Sequence, residues 1–277
     1  MSEISYADVE GIKLCYKLKG DGYPVVLIHG FAKKEFWIGQ IDALSKQFKV
    51  VWFDNRGVGC SDRPDMSYTI NMLVEDLKGL LDFLDIQNTH LIGHSLGSFI
   101  AQNFTLKYPE MVNKLILLCT SPGLPDKKGV DIFKNNQMAL YEARLADPIA
   151  GFYTKMKVRF TREFLKMMKA NPKQKFHGIF SAEDLIASEN ENPWTPQDIV
   201  NHSIALTDHN TFDVLPKIKH KSLIIAGEKD RLTPRISNEQ VHEKLPNSEL
   251  RIVSGGHYFP LENAPEVNQI IIDFLKN

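Results

Sequence analysis

Short apolar runs rich in β-branched residues recur along this chain, each bounded by Gly, Asn or Asp. Between them, apolar residues return every three or four positions. The runs are Pro24–His29 (PVVLIH), Val50–Asp54 (VVWFD), His90–Gly93 (HLIG), Leu115–Cys119 (LILLC), Ser222–Ala226 (SLIIA) and Leu250–Val253 (LRIV). Hydrophobicity that is near-continuous instead of alternating predicts strands covered on both faces. Ahead of them, Tyr6–Val9 and Ile12–Tyr16 flank Glu10-Gly11 and predict an antiparallel hairpin. Ile70, Leu73, Leu77, Leu80 and Leu84 follow at spacings of 3, 4, 3 and 4, which puts one apolar stripe on a crossover helix. Further helices are expected after Ser95, from about 236 to 245, and from 265 to 275, where Pro265 suits a first helical turn. Strand alternating with helix is the pattern of an α/β fold with a mostly parallel sheet.

One interval breaks that rhythm. From 124 to 212 no strand is predicted, while helix starts are signalled at Thr161, at Ser181 with Asp184 three residues on, and at Thr195-Pro196 with Asp198. About 90 residues of helix between two consecutive core strands is too much for a connection. The chain therefore divides into an α/β core, 1–123 and 213–277, and a helical insertion, 124–212. A length of 277 residues fits one domain carrying such an insertion.

Charge narrows the function classes. Thirty-three Lys and Arg against 34 Asp and Glu give a net charge of −1, which provides no global field for a polyanion and argues against a dedicated nucleic-acid binder. Neither a signal-peptide pattern nor a run of 18 apolar residues is present, so a transmembrane segment is not expected. Cys15, Cys60 and Cys119 are odd in number, widely spaced and without a CxxC pair. They read as small buried hydrophobes, argue against a disulfide framework or a metal site, and point to a reducing, cytoplasmic compartment.

The chemistry sits at strand ends. Gly93-His94-Ser95-Leu96-Gly97 falls where a predicted strand gives way to a predicted helix, and a serine there occupies a strained turn whose glycines allow close backbone approach. A serine hydroxyl needs an adjacent base, and that base needs an acid. Gly227-Glu228-Lys229-Asp230 follows SLIIA, and Ser254-Gly255-Gly256-His257 follows LRIV. The order Ser95, acid, His257 is what a nucleophile-elbow hydrolase requires. Asp230, deeper in its loop, is preferred as the acid over Glu228. The backbone N–H groups of Phe31, in His29-Gly30-Phe31, and of Leu96 are the candidate oxyanion donors. His29 is read as structural. His94 packs or braces a loop beside the substrate pocket, and Trp37 either walls that pocket or fills the core; these two are the candidate substrate contacts.

The stretches VVLIHGF, FDNRGVGCSDRP, LIGHSLGS, IIAGEKDRLTP and GGHYFPLENAPE, in this order from Pro24 to the C-terminus, resemble the α/β-hydrolase superfamily. The resemblance implies an eight-stranded, mostly parallel sheet flanked by helices, its first pair antiparallel, with an inserted helical cap after the sixth strand. It also implies a catalytic triad of Ser95, Asp230 and His257 and a bracing role for Asp54 and Arg56. Similar haloalkane dehalogenases and epoxide hydrolases carry Asp at the nucleophile, where this chain has Ser95. Similar carbon–carbon bond hydrolases usually carry Asn before the nucleophile, where it has His94.

The expectation is a serine hydrolase, without metal or cofactor, acting on small-molecule carboxylic esters or lactones with largely apolar groups, as a monomer or homodimer. Carbon–carbon hydrolysis, enol-lactone opening and perhydrolysis could run on the same triad, and a ligand receptor without turnover is the alternative outside enzymology. Within the insertion, Lys155, Arg159, Arg162, Lys166, Lys169 and Lys173 recur at helical spacing opposite Met156, Phe160, Phe164 and Met167. If Thr161 does not interrupt, this is one amphipathic helix with a basic outer face. Residues 155–175 carry eight Lys/Arg and one Glu, a local charge of +7, and residues 183–198 carry five Asp/Glu and no Lys/Arg, a local charge of −5.

Overall fold

The computed structural model describes residues 3–123, 127–207 and 209–277. The predicted hairpin forms as β1 (Ser5–Val9) and β2 (Ile12–Lys19), turning at Glu10 and Gly11, both at positive φ. Then come β3 (Pro24–Ile28), the short helix α1 (Ile41–Leu44), β4 (Lys49–Phe53), α2 (Ile70–Phe83), β5 (Thr89–His94), α3 (Leu96–Lys107) and β6 (Val112–Leu118). The helical insertion comprises α4 (Lys127–Ala146), α5 (Pro148–Met156), α6 (Arg162–Ala170), α7 (Ala182–Asn190) and α8 (Pro196–Thr207). The chain returns through β7 (Lys221–Gly227), α9 (Arg235–Lys244), β8 (Ser248–Val253), α10 (Phe259–Glu262) and α11 (Ala264–Lys276). The point near Leu124 where the insertion was expected to begin lies outside the described residues.

The described strands make one eight-stranded sheet in the order β1-β2-β4-β3-β5-β6-β7-β8, antiparallel at β1–β2 and β2–β4 and parallel from there on. Strand alternation sorts its side chains into two cores. Val26 and Ile28 of β3 face Leu73 and Leu77 of α2 and Ile100 of α3; Val25 and Leu27 face the other way, into a cluster holding Val267 and Ile271 of α11. The second cluster continues without a break into the insertion through Phe152, Met156, Phe160 and Phe164, so the insertion is packed down onto the core. Strand β8 departs from expectation: as an edge strand it alternates half-buried and exposed positions until Val253, and is not covered on both faces. Among the described residues, no helix is long and apolar enough to cross a membrane.

Two further expectations are overturned. Thr161 does interrupt the basic stripe: its hydroxyl accepts from the Phe164 N–H and caps α6, so α5 and α6 are separate helices. The break turns Arg159 inward, where it is 2% exposed, and leaves Met167 49% exposed, so neither lies on the face that uniform helical spacing gives it. The second correction concerns the cysteines. Cys15 and Cys60 form a disulfide, with Cα atoms 5.5 Å apart, and Cys119 alone is free and buried. The loop after β4 runs back along β2: the Lys13 N–H donates to Asp62, the Cys15 N–H donates to Ser61 Oγ, and the Asp62 N–H donates to the Lys13 carbonyl. That long-range pairing brings two cysteines 45 residues apart side by side, and spacing along the chain does not reveal it.

Candidate active site

Ser95 sits between β5 and α3 at φ 55° and ψ −123°, a conformation a side chain adopts only where its surroundings force it. Its N–H donates to the Leu118 carbonyl, and its own carbonyl accepts from Ser98 N–H. The glycines around it are demanded by contact: a Cβ on Gly97 would lie 2.0 Å from the Ile28 carbonyl oxygen, and one on Gly93 would lie 2.3 Å from that of Gly97. Gly30 packs directly on the serine, since a Cβ there would meet Ser95 Cβ at 2.7 Å. Leu96 opens α3, so its N–H is among the first-turn donors that have no intrahelical acceptor.

His257 and Asp230 arrive from the neighbouring strand ends. His257 Nδ1–H donates to Asp230 Oδ2 at 2.8 Å, which fixes the ring's tautomer and leaves Nε2 with a free lone pair. Asp230 Oδ1 accepts from the Leu232 and Thr233 N–H groups at 2.8 and 3.0 Å. Burial alone raises a carboxyl's pKa, but the His257 ring, its hydrogen bond, the Thr233 amide and the Cys119 thiol together hold that of Asp230 below its ordinary value. Glu228, the other acidic candidate, is exposed.

Glu262 anchors the His257 loop. Its Oε1 accepts from the Gly256 and Thr161 N–H groups, each at 2.9 Å, and its Oε2 from the Thr161 hydroxyl at 2.6 Å. One carboxyl thereby ties the loop that carries His257 to the cap of α6 in the insertion.

Ser95, Leu96, His94, His257 and Phe31 line one cavity, to which Phe133, Arg159 and Leu206 of the insertion also contribute. Phe31 is clamped from the insertion side, stacked on Trp194 with ring centres 4.5 Å apart and edge-on to Phe133 at 4.9 Å. A neighbouring, smaller cavity inside the insertion shares Phe31 as a wall.

Trp37 is fully buried, lies edge-on to Phe36 and His94, and is not among the residues lining the catalytic cavity; it fills the core. His94 reaches the cavity, but its Nε2–H donates to the His257 carbonyl and its face stacks on Phe36. Burial, and after it the neighbouring His257, keeps the His94 pKa well below its ordinary value, so the ring is neutral. His29 donates from Nδ1 to the Gly30 carbonyl and accepts the Asn55 N–H at Nε2. Asp54 accepts from the Lys34 N–H and ammonium at 2.8 and 2.7 Å, and Arg56 forks onto Asp76 at 2.6 and 2.5 Å.

Two groupings of described residues have the composition of metal ligands, His94–Cys119–His257 and Cys15–Asp54–Cys60. In the second, the two sulfurs are bonded to each other. In the first, His94 Nε2 and the Cys119 thiol both donate to the His257 carbonyl, and His257 Nδ1 is engaged by Asp230.

Arg159 and Tyr258 were not singled out for the site by sequence reasoning. Tyr258 could have been found as the aromatic neighbour of His257. Arg159 offered no signal, because its spacing matched that of the surface lysines around it.

The α/β hydrolase fold family model matches residues 23–264, and the chain belongs to that family. A putative non-heme chloroperoxidase of Synechocystis is 30% identical to it, over 96% of this chain and 95% of that protein. Among solved structures, an esterase from Exiguobacterium antarcticum matches with a TM-score of 0.80 at 25% identity, covering 100% of both chains. The enol-lactonase from Burkholderia xenovorans matches at 0.83 and 20% identity, over 99% of this chain and 100% of that one, and shares the fold.

Proposed function

We propose that this protein is a serine hydrolase of carboxylic esters or lactones that works through an acyl-enzyme. The observation that carries the reading is the coincidence of three features around one cavity: a serine on a strained strand-to-helix turn, a histidine whose tautomer is set by a buried carboxylate, and a helix-opening N–H beside the serine. His257 Nε2 takes the Ser95 proton as Oγ attacks the substrate carbonyl, and Asp230 stabilises the imidazolium that forms. The N–H groups of Phe31 and Leu96 receive the developing oxyanion. As the tetrahedral intermediate collapses, His257 returns the proton to the departing alkoxide, leaving Ser95 acylated. Water, deprotonated by the same nitrogen, then releases the acid.

In this reading α4 to α8 form a cap that closes the site, and the insertion side chains over Ser95 select the substrate. The name of the Synechocystis relative favours a second use of the same acyl-enzyme, interception by hydrogen peroxide in place of water to give a peracid. The hydrolytic reading is tested with p-nitrophenyl esters of graded acyl length. Wild type should turn them over, and Ser95→Ala should lose at least about 10³-fold in kcat/KM; full turnover by the alanine variant rules the mechanism out.

A further inference from the structure

Arg159, 2% exposed, is one of the residues lining the catalytic cavity, yet no carboxylate among the described residues lies within ion-pair distance of its guanidinium. Its described hydrogen bonds go to neutral groups: Nη1 donates to the Lys155 carbonyl at 2.9 Å, Nη2 to Gln137 Oε1 at 3.4 Å, and the guanidinium also to the Tyr258 hydroxyl. The guanidinium carbon stands 5.8 Å from the ring centre of Tyr258. Two of the other buried cations sit on carboxylates. Arg56 sits on Asp76 and Lys34 on Asp54, half-buried Lys155 pairs with Glu189, and Lys33, like Arg159, donates to neutral groups, the carbonyls of Ser188 and Glu191 at the end of α7. Glu189, whose carboxyl also feels Arg159, is already taken by Lys155. A charge this buried is seldom left unpaired, and a guanidinium has five donors in a fork suited to a carboxylate.

Resting on the hydrolase reading above, we propose that Arg159 is the specificity residue for a substrate carrying a free carboxylate besides its scissile ester or lactone. The free carboxylate enters the cavity and docks on the unused donors of the fork, which sets the distance from it to the carbonyl over Ser95. Apolar Phe31, Phe133 and Leu206 cover the chain between the two ends.

The test compares kcat/KM for p-nitrophenyl hemiesters of succinate, glutarate and adipate with the neutral esters of matching length. A second arm uses acetate esters of ω-hydroxy acids, to find which end of the substrate carries the charge. At least one chain length in one arm should exceed its neutral partner by about ten- to hundredfold, the strength of a charge-assisted pair. That ratio should collapse in Arg159→Met and be partly kept in Arg159→Lys, whatever happens to the rate common to both substrates. Neutral esters equal to or better than every charged one in wild type overturn the proposal, and so does a preference that survives in Arg159→Met. The wild-type ratio still decides if the Met variant does not fold. If no ester is turned over at all, the hydrolase reading is what fails. Calorimetric titration of glutarate into wild type and Arg159→Lys then still judges the carboxylate site, with wild-type binding expected to be tighter and equal or absent binding counting against it.

Discussion

At the scale of single residues, the site depends on side chains whose freedom has been removed. Ser95 is confined to φ 55° by glycines that admit no Cβ, and His257 is confined to one tautomer by Asp230. Two backbone amides and the His257 ring hold the Asp230 carboxylate ionised, so it can orient and stabilise an imidazolium without competing for the proton. Asparagine at 230 can present its amide to His257 and impose the wrong tautomer. Asp230→Asn should therefore lower kcat by about 10³- to 10⁴-fold, measured on a neutral ester, while Glu228→Gln, on the exposed side of the loop, should change little. A large loss from the Glu228 variant and none from Asp230→Asn would exchange the two roles. That Asp230 and not Glu228 meets His257 was open to sequence reasoning, because depth in a loop after a buried strand has a direct spatial meaning. The position of Trp37 was not, since an aromatic just past a strand end fits a pocket wall and a core equally well.

At the scale of elements, most of the sheet was legible. A strand covered by helices on both faces must be apolar throughout, and β3 to β7 carry that signature; the stripe of α2 and the caps at Thr161, Ser181 and Thr195 were equally visible. What failed depended on three-dimensional neighbours. Strand β8 lies at an edge, which its composition does not declare. The Cys15–Cys60 bond joins β2 to a loop that returns to it through hydrogen bonds from backbone and side chains far along the chain. The basic stripe across residues 155–173 assumed a single helical phase, but the cap at Thr161 resets the phase between α5 and α6 and carries Arg159 from an expected outer face into the cavity lining. The same cap is gripped by Glu262, so the break that hid Arg159 from the sequence is also the point where the insertion is fastened to the loop of His257.

At the scale of the whole molecule, near-neutral charge conceals a set of buried histidines that make stability depend on pH. Burial lowers the pKa of His90 and His209 to about 4 and of His202 to about 3, and lowers those of His29 and His94 as well. In the unfolded chain these rings titrate near ~6.5. Between that value and the folded one the unfolded state binds more protons, so the stabilisation is complete above about pH 6.5 and is lost as the pH falls. Each ring contributes up to about 1.4 kcal/mol per pH unit through that window. Urea midpoints should be level from pH 8 to 7 and drop steeply from 6.5 towards 4.5, whereas a midpoint unchanged from pH 7.5 to 5 would contradict burial of the neutral rings. The central claim remains that Ser95, activated by His257, is the nucleophile of an acyl-transfer reaction. Its most direct test is peptide mass spectrometry after treatment with a fluorophosphonate. One stoichiometric adduct on Ser95 is expected, slowed strongly in His257→Ala and absent in Ser95→Ala; adducts on another residue, or no adduct on a preparation that still hydrolyses esters, would rule out Ser95 as the nucleophile.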